Sequence, residues 1–166
     1  MKYRYAACLF LVALVLQTTL MNIVVVYGAT PNLLLCLVVV FSFLYDESNY
    51  GIVLGVAFGL AYDVCFSGYV GIAALSFLII SLAIMLVKIV MSKESGFSVI
   101  IVSVAATVLY VLLTWCIMAM LGSNYSFLYV MKKLPFYILY NAAIVTGLYY
   151  SMIGKVVRHH NDRYYK

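Results

Sequence analysis

Charge is what this chain has least of. Charged residues make up 9% of its 166 positions, and only five are acidic. A soluble domain carries roughly 25%. Mean hydropathy is +1.14, and 67% of the residues are hydrophobic. So few polar groups cannot coat a water-facing surface, so the solvent for most of the chain is expected to be lipid. Cysteine pairing motifs are missing too. Cys8, Cys36, Cys65 and Cys116 lie far apart in apolar runs. With no CxxC spacing, they read as small buried hydrophobes rather than a zinc or redox site. No glycine-rich phosphate loop, no Ser/Cys–His arrangement and no paired carboxylates within an apolar segment occur. The polar connections are too short to form a separate catalytic domain. No catalytic residue, cofactor or metal is expected, and the chain is not read as an enzyme. No low-complexity tract or internal repeat appears, so inverted transporter halves are unsupported.

What is present is a series of apolar runs. They predict an all-α polytopic membrane protein with about six transmembrane helices in one integral domain, residues 1–166. The spans are expected near 5–26, 31–45, 50–65, 70–90, 97–121 and 135–154. The first run, 22 residues, exceeds a ~7–15-residue signal core and matches a retained helix. The second and third are short. Fifteen residues rise only ~22 Å against a ~30 Å hydrocarbon core. They are either short spans or a re-entrant pair, and two spans is the preferred reading. Thr30 is expected to cap the second helix, with Pro31 at its first position. Residues 122–133 mix polar and aromatic side chains before Lys132-Lys133, which suits a segment lying at the interface. Residues 155–166 form a basic tail.

Positive charge orients this arrangement. With both termini cytoplasmic, the inner segments hold Lys2, Arg4, Lys88, Lys93, Lys155, Arg158, Arg163 and Lys166. The outer ones hold only Lys132 and Lys133. The +5 net charge thus serves topology, and no nucleic acid is expected as a partner. The tail's cations also suit anionic lipid. His159-His160 lacks further ligands for a metal and reads as solvated tail.

The most informative stretch carries Gly51, Gly55, Gly59 and Asp63. Members four apart drift only ~40° around a helix, so neighbours share a face. That face serves either close helix packing within the chain or a partner-binding surface. Internal packing is the plainer reading. Asp63 is the one acidic residue inside an expected span, which marks it for attention. Near the outer end of its helix, it is expected to cap the turn around Ser67-Gly68 or reach water. A proton relay would need a chain of titratable groups, and none follows. Gln17, Asn22 and Asn141 are polar groups in apolar helices, expected to bond across helices rather than bind a substrate.

The order of these features resembles a known family. Gln17-Thr18-Thr19 is followed by Gly28-Ala29-Thr30-Pro31-Asn32-Leu33-Leu34, then Gly51, Gly55, Gly59-Leu60, Asp63, Ser67-Gly68 and Gly71. Together they resemble the bacterial rod shape-determining protein MreD family over the whole chain. The family often has Pro-Asp-Leu where this chain has Pro31-Asn32-Leu33, so no argument here needs a carboxylate at that position. The segment after the fifth helix carries no matching motif. The resemblance implies a non-enzymatic component of the cell-elongation machinery (the elongasome) in the bacterial cytoplasmic membrane. It implies direct binding to the single-span protein MreC. It implies shared work with the actin-like MreB, the glycosyltransferase RodA and a class B penicillin-binding protein in organising peptidoglycan synthesis and rod shape. The residues it singles out as packing or interface candidates are Gln17, Pro31, Asn32, Gly51, Gly55, Gly59, Asp63, Gly68 and Gly71. A second resemblance is to the vitamin-binding S-component of energy-coupling-factor transporters. The brief, uncharged outer turns and the placement of Trp115 within a helix disfavour it. An enzyme of lipid chemistry would need inward His, Asp or Arg clusters, which are absent.

Overall fold

The computed structural model describes residues 3–19, 28–45, 50–91, 95–123 and 126–164, with side chains to residue 154. The described residues are helical apart from turns. Six helices follow in order: α1 (Tyr3–Thr19), α2 (Leu33–Leu44), α3 (Tyr50–Phe66), α4 (Ile72–Val87), α5 (Gly96–Met120) and α6 (Phe127–Tyr164).

The shortest helix is the centre. α2 has twelve residues, and eleven of them, Leu34 through Leu44, are buried. It packs against all five other helices. Around it α1 lies beside α3, α3 beside α4, α4 beside α5 and α5 beside α6. Among the described residues α1 and α6 do not pack on each other. The sequence of α2, LLLCLVVVFSFL, is apolar on every side, as a fully enclosed helix requires. The surrounding helices bury one stripe each. In α1 it is Ala6, Phe10 and Ala13; in α6 it is Asn141, Val145, Tyr149 and Met152. These spacings of three and four place each set on one helix face.

The opposite faces are apolar as well. Leu11, Val53, Leu82, Leu86 and Leu139 are all exposed. An apolar coat over most of the bundle is costly in water. Hydroxyls on the helices fold back onto their own backbone. Ser76 Oγ donates to Ile72 O (2.7 Å), Ser81 Oγ to Phe77 O (2.7 Å) and Thr114 Oγ1 to Tyr110 O (2.8 Å). Such bonds satisfy a polar group without water. α5 and the Phe127–Gly154 part of α6 are long and apolar enough to cross a membrane. The other four helices are shorter and apolar.

Several boundaries differ from those read in the sequence. The last helix does not begin at Pro135. α6 starts at Phe127 and runs through Pro135 to Tyr164, so residues 127–133 are its first turns rather than a separate interfacial segment. Proline deprives the Met131 carbonyl of its i+4 donor. Pro135 lies on the exposed face, and the helix carries on past it. The helix continues into the basic tail, through residues 155–164. α2 opens at Leu33 with Asn32 as its cap, not Thr30. The Asn32 side chain accepts the Leu35 N–H (3.0 Å), while Pro31 precedes the helix. α4 begins only after Gly71, whose φ of +100° lies in the left-handed region that glycine adopts without steric cost. Residues 20–26 of the first expected span, with Asn22, lie outside the described residues, as do Asp46-Glu47 and Lys93-Glu94.

Phe77 tests this packing. It is buried between α3 and α5, stacking on Tyr110 with ring centroids 5.7 Å apart. Phe77→Ala is expected to cost about 3–5 kcal/mol. Leu86→Ala, on the exposed face, is expected to be nearly neutral. Thermal unfolding of both variants in the same detergent measures the difference.

Candidate functional site

The glycine face of α3 is filled from within the chain. A methyl group at Gly59 would come within 2.8 Å of Phe77 Cδ2 and 3.0 Å of the Ala74 backbone. At Gly55 it would meet Val38 Cγ2 at 2.9 Å. At Gly51 it would run into the Ser42 hydroxyl and lie 2.8 Å from the Ser42 backbone nitrogen. Three glycines one turn apart therefore let α3 approach α2 at one end and α4 at the other. Absent side chains are the means by which helices approach closely where apolar burial supplies no drive. Gly68 and Gly71 are different. Neither has a neighbour that an added side chain would meet, and Gly71 serves through its backbone.

Asp63 ends this seam, and its carboxylate is almost fully enclosed, at 2% exposure. Oδ2 accepts three backbone N–H groups, from Gly71 (3.0 Å), Ala73 (2.8 Å) and Ala74 (3.3 Å). These are the first donors of α4, which have no intrahelical acceptor. Gly71 offers no side chain to cap them, so the preceding helix supplies the cap. A negative charge is also favourable at a helix N-terminus. The expected target was the turn at Ser67-Gly68. The Asp63 side chain instead passes that turn to reach the next helix; only its backbone carbonyl accepts from Ser67 (3.1 Å).

The N-terminus of α2 is held from two sides. Gln17 of α1 donates through Nε2 to Pro31 O (3.0 Å) and accepts the Leu33 N–H at Oε1 (2.7 Å). Asn141 of α6 accepts the Asn32 N–H at Oδ1 (3.0 Å) and donates through Nδ2 to Thr107 Oγ1 (3.3 Å). Thr107 Oγ1 in turn donates to Ser103 O (2.9 Å). This chain of bonds links α1, α2, α5 and α6, and it joins α1 to α6 through the start of α2. The other end of α2 meets a cation. Lys88, just past α4, donates to Ser42 O (3.3 Å), where positive charge complements the helix dipole.

Gln17, Pro31, Asn32 and Asn141 thus form one cluster, and Gly51, Gly55, Gly59 and Asp63 form a seam beside it. Tyr110 of α5 stacks on Phe77, the ring that lies against Gly59 of the seam. Gly71 joins the seam through its N–H to Asp63, and Gly68 remains outside both. Thr107, Ser42 and Lys88 were not singled out in the sequence. A lysine at the end of an apolar run was the available signal for Lys88. Thr107 and Ser42 carry none, because hydroxyls are common in apolar helices. Among the described residues no three His, Cys, Asp or Glu side chains gather to hold a metal. Gln17 and Asn141 reach across to a neighbouring helix, whereas Asn32 Oδ1 and Thr107 Oγ1 bond within their own; together they clamp the start of α2.

Among the described residues, a bundle of helices with an apolar coat is the architecture that a lipid solvent calls for. The comparison of sequences agrees and is more specific. The family described as rod shape-determining protein MreD matches residues 2–156, nearly the whole chain. The chain belongs to that family, whose members are membrane proteins that determine cell shape. Comparison with curated proteins and with solved structures yields no match.

Four substitutions separate the roles. Asp63→Leu strands three buried donors and is expected to lower stability by about 2 kcal/mol or more. Asp63→Asn, which keeps an acceptor, should lose less. Gly59→Leu forces side-chain bulk onto the α4 backbone and should cost at least ~1–3 kcal/mol. Gly147→Leu, in open space, should be tolerated. Chemical or thermal unfolding of the four purified variants orders them.

Proposed function

We propose that this chain is a six-pass protein of the bacterial cytoplasmic membrane with both ends inside, which acts by contact and not by catalysis. It binds MreC and, with MreB, RodA and a class B penicillin-binding protein, helps organise peptidoglycan synthesis for rod shape. The carrying observation is the family match over residues 2–156. The side-chain geometry agrees with it, because Gln17, Asp63 and Asn141 are taken up in bonds between helices.

α3 carries Tyr50 at one end and Phe66 at the other, ~24 Å apart at 1.5 Å per residue. Aromatic rings concentrate at membrane–water interfaces, and this separation supports a full crossing by α3 of a slightly thinned ~30 Å core. α2 is shorter, but it is enclosed by protein and need not match the bilayer. A vitamin-binding role draws no support from the clamp. Asn32, Asp63 and Asn141, the groups a small polar ligand would use, already accept backbone N–H bonds.

Affinity purification from membranes tests the reading. A tagged copy is expected to retain MreC, and depletion in a rod-shaped host should round the cells. Purification without MreC but with a bound vitamin would overturn it in favour of the transporter subunit.

A further inference from the structure

One peptide group at the start of α2 is held from both sides. Gln17 Nε2 of α1 donates to Pro31 O (3.0 Å), and Asn141 Oδ1 of α6 accepts from Asn32 N–H (3.0 Å). The Pro31 carbonyl and the Asn32 N–H belong to the same planar unit. It is trans, so the two groups point in opposite directions. Among the described residues α1 and α6 do not pack on each other, yet they grip the two edges of one rigid plate. The backbone also fixes how each side-chain amide is turned. Pro31 O accepts only from a nitrogen, and Asn32 N–H donates only to an oxygen.

The neighbouring bonds continue the chain in a single sense. Leu33 N–H donates to Gln17 Oε1 (2.7 Å), and Gln17 Nε2 donates on to Pro31 O. Asn32 N–H donates to Asn141 Oδ1, and Asn141 Nδ2 donates on to Thr107 Oγ1 (3.3 Å). Thr107 Oγ1 donates to Ser103 O (2.9 Å). Every amide in the series accepts at its oxygen and donates at its nitrogen. Bonds arranged this way polarise one another, and each strengthens the next. Entropy acts in the same direction. Either bond orders the segment that leads into α2, so the other is made at a smaller entropic cost. We propose that this series couples α1 to α6: the hold of Gln17 on the start of α2 strengthens the hold of Asn141, and loosening either loosens the other. A displacement imposed on α1 is thereby felt at α6, and through Thr107 at α5. Phe10 also joins α1 to α2, with its ring centroid 5.6 Å from that of Phe41. That contact is apolar and lies toward the other end of α2, so it stands outside the coupling.

A double-mutant cycle on the full chain in detergent tests the coupling. The unfolding constant is measured for Gln17→Met, Asn141→Leu and the two together. Each single substitution is expected to raise it, and the pair to raise it by less than the product of the two effects, short by more than about twofold. Phe10→Leu combined with Asn141→Leu is the control cycle, expected to match the product within about twofold. A Gln17–Asn141 cycle that matches the product, or that departs from it no more than the control does, would overturn the proposal. Hydrogen exchange gives a second reading on Gln17→Met alone, which leaves both partners of the Asn32–Asn141 bond in place. Exchange at Asn32 N–H is expected to quicken by a larger factor than at Ile80 N–H in α4, which reports opening of the whole bundle. Equal factors at the two positions would overturn the proposal even where Asn141→Leu fails to fold.

Discussion

A helix of twelve residues rises about 18 Å, so α2 cannot carry both of its ends out of a hydrocarbon core. Its terminal N–H and C=O groups must then be satisfied by protein. Much of the structure answers that requirement. Gln17 and Asn141 reach in from α1 and α6 to the first turn, and Lys88 reaches the last turn from α4. Asn32 closes its own helix start. The glycines of α3 allow a neighbour to lie directly against α2, with Gly51 over Ser42 and Gly55 over Val38. The same solution appears one helix later, where Asp63 caps α4 from outside it. Polar residues that would look catalytic in another setting are here the terminations of enclosed helices.

This arrangement bears on function through what it leaves outside. The clamp and the seam face inward, so a partner meets the outward faces of α1, α3, α4, α5 and α6, with α2 reached only through them. α1 and α6 are joined through the start of α2 and, among the described residues, do not pack on each other. In the proposed role, a partner that shifts either helix pulls on the α2 N-terminus through Gln17 or Asn141. That is a physical route by which contact at the surface of a shape-determining protein reaches its core.

Much of this was legible in the sequence, and the reasons are local. Glycines at positions 51, 55 and 59 share a face on any α-helix, so the seam followed from spacing alone. Asp63 was marked by its charge in an apolar run. Its target was not, because a side chain can cap the turn beside it or the helix beyond, and only the fold of residues 67–71 decides. Thr30 and Asn32 are both good cap residues. The choice fell to Asn32, whose oxygen sits on the Leu35 N–H while its own N–H is taken by Asn141 from 109 positions away. Pro135 misled for a related reason. Proline is at home in a first turn, yet here it interrupts a helix that starts eight residues earlier. Pairings such as Asn141 with Thr107 depend on the register of α5 against α6, which no local pattern encodes.

The enclosure of α2 on all sides is open to test by the four cysteines of the native chain. Cys36 lies in α2 and is fully buried, with its thiol near Asn141, whereas Cys8, Cys65 and Cys116, read from the sequence as buried, are exposed on α1, α3 and α5 because each lies on the outward face of its helix. The measurement is the extent of alkylation at each position by a small, membrane-permeant maleimide, read by mass spectrometry on the folded protein in detergent. Modification is expected at the three outer positions and none at Cys36 until the protein unfolds. Modification of Cys36 in the folded protein at the rate of the others would contradict it.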